Sequence, residues 1–420
     1  MANIGFLSLN LTSHLNVGMS LAKELEARGH NVTFFNIPDV KRVVTDRGLR
    51  FVEMGSKELP EGTLQPLLEQ LSKLQGNDAF AFLFAGMTGL THIAAGYLPD
   101  LLRNEKIDAL VIDQLFAGGA TVAQHLNIPF ASIASAVLLN RWDGAPNPKF
   151  SCDYDPSEAG IERNRKHWEQ VREEWKPWTD AENIHREAWG LPPFHNMVVD
   201  SFSPIAQISQ QPKGFDFPRP DLPDHVHYVG PLTHPSIRRS ADFDWEKLNG
   251  KPLVYASLGT LQNGLNWVYK AILEACAPLD IQLVLSTGGG PVDEAEIGAV
   301  PNNALMVNFA PQFDLLARSS LCITHGGLNT AVECLTHGVP MVAVPITHEQ
   351  PGVAARIRYT NTGRSISLDE LDAHRLRELV KDVLVNPLYR EQAKKFQLQI
   401  AKTNPLKKAA DIIERDVVRK

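Results

Sequence analysis

The sequence consists of two blocks in which short apolar runs alternate with longer segments of helical periodicity. Some runs, such as 109–112 (Ala-Leu-Val-Ile), are apolar throughout, which is typical of a parallel strand buried on both faces. Strands that alternate with helices imply a parallel sheet with right-handed crossovers. The sequence therefore predicts an α/β protein with two parallel-sheet domains, whose strands include 3–9, 32–35, 109–112, 129–133, 253–257, 282–286, 305–308, 321–324 and 341–344.

A proline-rich stretch lies between the two blocks. Pro218, Pro220 and Pro223 each remove a backbone donor and fix φ, so this stretch cannot be helical. A chain of 420 residues is also too long for one ordinary core. Because ligands of open parallel sheets bind beyond the carboxyl ends of the strands, two sheets facing each other by those ends would enclose a cleft. We expect a first domain at 1–214, a linker at 215–249, a second domain at 250–400, and a final helix at 401–420 that packs back on the first domain.

Charge and composition exclude several classes of protein. The formal net charge of −7 argues against a nucleic-acid partner, although a local patch could hold one diphosphate. The chain has no unbroken apolar run of 18 residues and no signal-peptide pattern at its start, so we expect a cytoplasmic protein. Four scattered cysteines without C-x-x-C spacing are expected to be reduced thiols.

An anion site is indicated by the segment 324–333 (Thr-His-Gly-Gly-Leu-Asn-Thr-Ala-Val-Glu). The segment follows an apolar run and opens a helix, where free N–H groups and the positive end of the helix dipole favour negative charge. The glycines at 326 and 327 let a phosphate approach the backbone. Alone, a Gly-Gly turn is common in α/β proteins, and His325 is more often a satisfied loop histidine than a ligand contact.

The flanks of this segment decide between these alternatives. From 309–312 (Phe-Ala-Pro-Gln) through 325–333 and 338–340 to 345–350 (Pro-Ile-Thr-His-Glu-Gln), many residue types stand at fixed spacing. This pattern resembles the nucleotide-sugar signature of the UDP-glycosyltransferase superfamily, and the domain order fits over essentially the whole chain. The resemblance implies the GT-B fold, in which two Rossmann-like domains face each other across a cleft. It also implies a UDP-sugar as co-substrate, with no bound cofactor and no metal.

The resemblance assigns donor contacts position by position. Phe309 would stack on the base, where the family often has tryptophan, and Glu333 would bind the ribose hydroxyls. Glu349 and Gln350 would hold the donor sugar. Since aspartate is commoner at 349, the donor sugar stays open, with glucose favoured. The remaining assignments are Gln312 near the base and ribose, Gly327, His325, Asn329 and Thr330 at the diphosphate, and Thr260 at the β-phosphate.

The catalytic base is expected at the end of the first strand, in a loop at 10–16. A lone histidine in such a loop is more often solvated than catalytic. The resemblance implies that His14 is the general base and that Asp113, at the end of another strand, is its partner. The family's usual Gly and Pro are Ser13 and Val17 here, and Asp113 could instead cap a helix. The hypothesis is a single displacement with inversion at the anomeric carbon, in which His14 deprotonates the acceptor hydroxyl.

The first domain should also supply the pocket for the acceptor, the molecule that receives the sugar. The apolar stretch 80–84 and Met87 precede a predicted helix. The segment 345–356 is similar to the zeaxanthin glucosyltransferase branch, which implies a lipophilic hydroxylated acceptor, namely a carotenoid hydroxyl, and UDP-glucose as donor. Five tryptophans either pack a helical excursion or line an aromatic pocket or a membrane-facing lip, so peripheral membrane contact is an open alternative: Trp142, Trp168, Trp175, Trp178 and Trp189.

Other functions are weighed against the transferase. A nicotinamide dehydrogenase is disfavoured because no G-x-G-x-x-G follows the first strand. A murein-type glycosyltransferase would have a glycine-rich first loop, which is absent at 9–16. A UDP-sugar epimerase or a non-catalytic sugar-nucleotide-binding protein would share the architecture and stay as alternatives. The two D-x-D stretches, 153–155 and 242–244, are expected to be solvated loops rather than metal ligands.

Overall fold

The fold consists of two parallel sheets with helices on their faces, seen in a computed structural model that describes residues 1–238, 241–261 and 263–418, and at position 198 the backbone. Residues 239–240 of the expected linker and 419–420 of the expected final helix lie outside the described residues. Every strand pairing within each sheet is parallel. The α/β class with two parallel sheets is therefore confirmed.

The first sheet has seven strands in the order β3-β2-β1-β4-β5-β6-β7. Its order reverses direction between β1 and β4, which is the place where doubly wound sheets bind ligands. β4 and β5 are buried along their whole length. The strands are β1 (Asn3–Leu7), β2 (Asn31–Asn36), β3 (Arg50–Glu53), β4 (Ala109–Asp113), β5 (Phe130–Ala134), β6 (Ala206–Ser209) and β7 (Val226–Tyr228).

The second sheet has six strands in the order β10-β9-β8-β11-β12-β13, with the same kind of switch point between β8 and β11. β8 and β9 are buried throughout. The strands are β8 (Leu253–Ser257), β9 (Gln282–Ser286), β10 (Ala304–Val307), β11 (Ser319–Thr324), β12 (Met341–Ala343) and β13 (Gly363–Ser365).

Helices cover both faces of the two sheets and bury four large apolar clusters against them. Short 3-10 turns occur at Pro38–Val40, Pro235–Ile237, Trp245–Lys247 and Leu368–Glu370, and a π-helical segment at Ile413–Val418. The α-helices are α1 (Thr12–Ala27), α2 (Lys41–Thr45), α3 (Leu64–Ser72), α4 (Gly76–Asn104), α5 (Gly119–Leu126), α6 (Glu158–Glu174), α7 (Lys176–Ala188), α8 (Met197–Asp200), α9 (Asn266–Cys276), α10 (Glu294–Ile297), α11 (Gln312–Leu316), α12 (Leu328–His337), α13 (Gln350–Tyr359), α14 (Ala373–Val385), α15 (Pro387–Ala401) and α16 (Pro405–Ile412).

The connection between the sheets is anchored rather than loose. β7 lies inside the range 215–249 that the sequence suggested as linker, yet it pairs with β6, so the first sheet continues past residue 214. A three-residue strand between proline-rich turns gives no run long enough to be recognised. Asp216 is buried and accepts hydrogen bonds from Nε and Nη2 of Arg356 on α13, at 2.9 and 2.7 Å. This ion pair ties the start of the connection to the second sheet.

The end of the chain packs on the first sheet's side of the molecule. α16 lies against α1, and Ala409, Ala410 and Ile413 are fully buried in the cluster beneath β1 and β2. Arg28 at the end of α1 donates to Asp411 and Glu414, at 2.7 and 2.9 Å. The C-terminal segment therefore joins the two halves a second time.

α4 is long and apolar enough to cross a membrane by length and composition, with a mean hydropathy of 1.4 over its most apolar 18 residues. The sequence of α4 contains no unbroken apolar run of 18 residues, because Thr88, Thr91 and His92 interrupt it. In the fold α4 packs against α5 and α7, and it buries Leu90 and Leu98 in the core beside the first sheet.

Candidate active site

One deep cleft opens between the carboxyl ends of the two sheets. Its volume is about 630 Å³, and its walls come from both halves of the chain. The loops after β1, β8 and β11 all reach it, as the switch points of the two sheets predict. Of the residues assigned from the sequence, all except Asp113 line this cleft: His14, Thr260, Phe309, Gln312, His325, Gly327, Asn329, Thr330, Glu333, Glu349 and Gln350.

His14 lies in the first turn of α1, not in a loop as the sequence suggested. The prediction of a loop at this position was wrong. Because α1 begins at Thr12 without a side-chain cap, the sequence has no capping residue that would indicate the start of the helix. His14 is buried at 8% exposure, and its Nδ1 lies 2.8 Å from Oδ2 of Asp113, which is 1% exposed. Oδ1 of Asp113 accepts the backbone N–H of Leu115 at 3.0 Å, which fixes the carboxylate behind the imidazole.

The charges around His14 set its proton affinity. Burial lowers the pKa of His14, but the charge and the hydrogen bond of Asp113, together with a smaller effect of Glu349, outweigh burial, so the pKa is raised. Burial raises the pKa of Glu349, and His14 opposes that shift. Burial, with the charge of His14, lowers the pKa of His348 to about 4, so His348 is neutral near pH 7. The base position therefore faces two carboxylates and a neutral imidazole.

The helix start at α12 faces the same cleft. The ring of His325 lies between two glycines, since a Cβ at Gly259 or Gly327 would stand 2.7 or 2.4 Å from ring atoms. Only glycine at both positions leaves room for this ring. Burial lowers the pKa of His325 to about 4, so the imidazole is neutral, and its buried Nδ1 has no partner among the described residues. A neutral imidazole beside a helix N-terminus can donate to a phosphate oxygen.

Asn329 joins the two halves at this point. Its Nδ2 donates to the backbone oxygen of Ser13 at 3.3 Å, and its Oδ1 accepts from Gln210 at 2.6 Å. Thr330, one residue on, is 7% exposed and borders the cleft. The helix start assigned to the diphosphate is therefore in direct contact with the residue before His14.

A series of side-chain hydrogen bonds lines the part of the cleft that is assigned to the ribose. Nε2 of Gln312 donates to Oε2 of Glu333 at 2.7 Å, and the hydroxyl of Tyr255 donates to Oε1 of Gln312 at 3.1 Å. Burial raises the pKa of Glu333, and the bond from Gln312 and the charge of Arg238 oppose that shift. Glu333 lines the cleft, so its carboxylate can also accept a hydroxyl group of a ligand.

The remaining donor residues differ in how they are held. Phe309 packs against Gly289, where a Cβ would stand 2.4 Å from its ring. Oε1 of Gln350 accepts the backbone N–H groups of Ile346 and Thr347 at 2.8 and 3.0 Å. The oxygen of Gln350 therefore shapes its own loop, so any sugar contact falls to its amide nitrogen. Thr260 is exposed at the edge of the cleft.

The wall from the first half is apolar at the end of the cleft beyond His14. Phe84 stacks on Phe80 and on Trp175, with ring centroids 4.3 and 4.9 Å apart. Of the five tryptophans between 142 and 189, Trp175 lines the cleft, while Trp168 and Trp178 are packed in the core at 2% and 1% exposure. Met87 is buried behind this wall. The wall combines large flat apolar surfaces with few polar groups.

Sequence reasoning missed three polar side chains that line the cleft or bond to a residue that lines it. Lys149 lines its apolar end, where its ammonium lies 4.2 Å from the centre of the Phe80 ring and pairs with Glu174. The Arg238 guanidinium lies 3.4 Å from the centre of the Phe313 ring. Gln210 supplies the bond to Asn329. None of the three belongs to a recognisable pattern. Gln210 and Arg238 meet their partners across the two halves, and Lys149 contacts residues far away along the chain of the first half.

The remaining polar candidates have structural partners. Among the residues that the structure describes, no group of three or more His, Cys, Asp or Glu side chains is placed to hold a metal ion. In the D-x-D stretches, Asp153 pairs with Arg358 at 2.6 Å and Asp244 accepts the backbone N–H of Glu246 at 3.2 Å. The four cysteines form no disulfide.

Comparison with known proteins identifies the family. Residues 205–414 match the model of the UDP-glucoronosyl and UDP-glucosyl transferase family. Zeaxanthin glucosyltransferase of Pantoea ananas is 33% identical over 411 residues, covering 96% of this chain and 93% of that protein. The chain belongs to this UDP-glycosyltransferase family.

Solved glycosyltransferase structures are similar in fold to this chain along its whole length. The glycotransferase of kitacinnamycin is 25% identical, has a TM-score of 0.76 and covers 99% of each chain. The calicheamicin glycosyltransferase CalG4, at 21% identity and a TM-score of 0.75, covers 100% of this chain and 99% of its own. The GT-B fold is therefore confirmed. This UDP-glycosyltransferase transfers a sugar from a nucleotide sugar to a small-molecule acceptor.

Proposed function

We propose that this glycosyltransferase moves glucose from UDP-glucose to a hydroxyl group of a lipophilic small molecule, with His14 as general base and Asp113 as its partner. The observation that supports this most is the contact of the two half-sites. Asn329 at the start of α12 donates to the backbone of Ser13, one residue before the buried His14–Asp113 pair. A base and a diphosphate site so close to each other suit attack and departure at one anomeric carbon.

The base half of the reaction uses the pair of His14 and Asp113. With Asp113 bonded to Nδ1, the neutral imidazole carries its proton on Nδ1 and keeps the lone pair on Nε2. Nε2 takes the proton from the acceptor hydroxyl while that oxygen bonds to the anomeric carbon. Asp113 then stabilises the imidazolium, as its effect on the pKa of His14 requires. General-base assistance of this kind contributes roughly 10²–10⁴-fold.

The leaving-group half uses the second domain. The bond between the anomeric carbon and the β-phosphate oxygen breaks, and both electrons leave with UDP. The N–H groups at the start of α12, His325, Asn329 and Thr330 surround the place assigned to the diphosphate, with Thr260 at its edge. A helix N-terminus stabilises the negative charge that develops on the leaving phosphate. Glu333 and Phe309 hold the nucleoside, and Glu349 with the amide of Gln350 holds the sugar.

The acceptor is proposed from the wall opposite the donor residues. Phe80, Phe84 and Trp175 form stacked rings that suit a flat or extended apolar molecule. A relative named zeaxanthin glucosyltransferase supports a carotenoid hydroxyl as the first acceptor to try. Cytoplasmic location and peripheral contact with a membrane remain predictions.

The test is the release of UDP from UDP-glucose with a panel of hydroxylated lipophiles that includes carotenoids and flavonoids. We expect release that depends on the acceptor and that falls roughly 10²–10⁴-fold in His14→Ala, while the Kd for UDP stays unchanged. If UDP-glucose bound without supporting turnover on any acceptor, while another UDP-sugar supported it, glucose would be the wrong donor. Turnover that survived His14→Ala would remove His14 as the base.

A further inference from the structure

The turn between α3 and α4 crosses from the first half of the chain to the second. The backbone oxygen of Gly76 accepts the hydroxyl of Thr347 at 3.0 Å, and the backbone oxygen of Ser72 accepts the N–H of Gly264 at 3.4 Å. Thr347 lies in the loop that carries Glu349 and Gln350. Gly264 lies in the loop after β8 that carries Thr260. One turn of the first domain therefore contacts both loops assigned to the donor.

A side chain of the same β8 loop reaches the acceptor wall. Leu261 lines the cleft and packs against the apolar cluster that contains Phe80 and Trp175. Phe80 lies four residues after Gly76, in the first turns of α4. The described part of the loop, 258–261 and 263–264, is thus joined to the apolar cluster of the first half through Leu261, and to the turn at 72–76 through the backbone N–H of Gly264.

The loop is also fixed on its nucleotide side. Nδ2 of Asn263 donates to the backbone oxygens of Thr287 and Gly288 at 3.1 and 3.2 Å. The next residue, Gly289, is the one against which the ring of Phe309 packs. A series of contacts therefore runs from Phe309, which is assigned to the nucleobase, through the β8 loop to the acceptor wall.

The β8 loop and the turn at 72–76 are closely packed where they meet. A Cβ at Gly264 would lie 3.2 Å from the oxygen of Ser72 and 3.3 Å from its hydroxyl. Ser72 itself is 4% exposed. Because closely packed groups transmit a displacement rather than absorb it, a shift of the β8 loop must move the turn at 72–76 or break its bonds.

We propose that the β8 loop couples the two substrates, so that nucleotide held between this loop and Phe309 fixes Leu261 against the acceptor wall and raises the affinity for the acceptor. Leu261 is then a positioning residue that acts through the apolar cluster to which Phe80 and Trp175 belong. This coupling rests on the proposed function of the cleft. By reciprocity, a bound acceptor raises the affinity for the nucleotide by the same factor.

The test uses UDP alone as the probe and amide hydrogen exchange as the readout. In the wild type, we expect saturating UDP to slow exchange in 71–84 by about tenfold, a typical coupling. In Leu261→Ala, UDP should bind with a Kd within threefold of the wild type, but the slowing in 71–84 should be lost. Thr347→Val, which removes the bond to Gly76 and little volume, should lose part of it.

The control is Leu67→Ala, a leucine of α3 that is 42% exposed and does not line the cleft. It should bind UDP and slow 71–84 as the wild type does. In steady-state turnover, Leu261→Ala should raise the KM for the acceptor several-fold and leave the pH profile of kcat unchanged.

Three results separate the coupling from the proposed function. If UDP binds the wild type without slowing 71–84, or still slows it in both Leu261→Ala and Thr347→Val, the coupling is wrong and the proposed function stands. If Leu261→Ala weakens UDP binding more than tenfold, Leu261 belongs to the nucleotide site and the coupling is overturned. If UDP does not bind the wild type, the proposed function falls and the coupling with it.

Discussion

The two walls of the cleft differ in how they hold their groups. On the wall of the second half, polar side chains are fixed by one another before any ligand binds, as in the chain from Tyr255 through Gln312 to Glu333. On the wall of the first half, stacked rings such as Phe80 and Phe84 dominate, and the buried pair of His14 and Asp113 is the main polar feature. A donor of constant chemistry can be recognised by fixed hydrogen bonds. Acceptors of varied shape are better held by apolar area, with one reactive group.

The contrast predicts that substitutions in the first half affect mainly the chemical step and substitutions in the second half mainly UDP binding. The largest effect on kcat should follow from removing the proposed base, His14. His14→Ala should lower kcat roughly 10²–10⁴-fold, because the proposed mechanism assigns the acceptor proton to His14, while the Kd for UDP stays unchanged. Steady-state kinetics and UDP titration measure the two quantities. The exposed His374→Ala is the control and should change neither. A matching loss of UDP affinity in His14→Ala would contradict the division of labour.

The next largest effect concerns the ion pair that joins the halves. Asp216→Asn should lower the free energy of unfolding by about 3–5 kcal/mol, because the buried guanidinium of Arg356 loses its counter-charge. Chemical denaturation monitored by tryptophan fluorescence measures this. Asp280→Asn is the control, since Asp280 is 88% exposed in its pair with Lys251 and should matter little. Equal stability of the two variants would show that the halves do not depend on this pair.

The two halves also differ in how much of their fold and of the candidate site could be predicted from the sequence. The segment 309–350 carries all but one of the residues assigned to the donor, because a loop, a helix start and a second loop of this segment all line the cleft. Central strands such as β4 and β8 were evident, since strands buried on both faces are apolar throughout. The edge strands β3, β7 and β13 were missed because they are short and partly polar.

The first half gave weaker signals for a physical reason. The start of α1 carries no cap, so His14 was expected in a loop. Gln210 and Leu261 meet their partners through the packing of one domain on the other, which no local pattern encodes. The position of Asp113 at a strand end could be read from sequence, but its 2.8 Å contact with His14, 99 residues away along the chain, could not.

The partner of the base allows a sharper test through pH. Asp113→Asn should lower kcat roughly 10²-fold, near the lower end of what a general base contributes. The acidic limb of kcat/KM should lie above pH 6.5 in the wild type, because the pKa of His14 is raised and the base works only when deprotonated. Without the Asp113 charge, burial lowers that pKa, so the limb should move to lower pH. Asp100→Asn, 83% exposed, should leave the limb in place, and an unmoved limb in Asp113→Asn would contradict the pairing.

The smallest effect is expected on the donor wall. Glu333→Gln should raise the Kd for UDP about tenfold, because a neutral amide binds the ribose hydroxyls less strongly than a carboxylate. The kcat at saturating donor should change little. Calorimetric titration measures the Kd, and Glu378→Gln on the surface pair with Lys381 is the control. A large fall in kcat with unchanged UDP affinity would contradict this prediction, because Glu333 would then act in the chemical step rather than in donor binding.

The configuration of the product at its anomeric carbon tests the central claim most directly, namely that a base in one wall and a leaving-group site in the other act in one displacement. The measurement is the anomeric proton coupling in the NMR spectrum of the glycoside made from UDP-glucose, whose sugar is α-linked. A β-glycoside is the predicted result, because His14 and the start of α12 lie on opposite walls of one cleft. An α-glycoside would contradict the account, since a single displacement cannot retain the configuration of the donor.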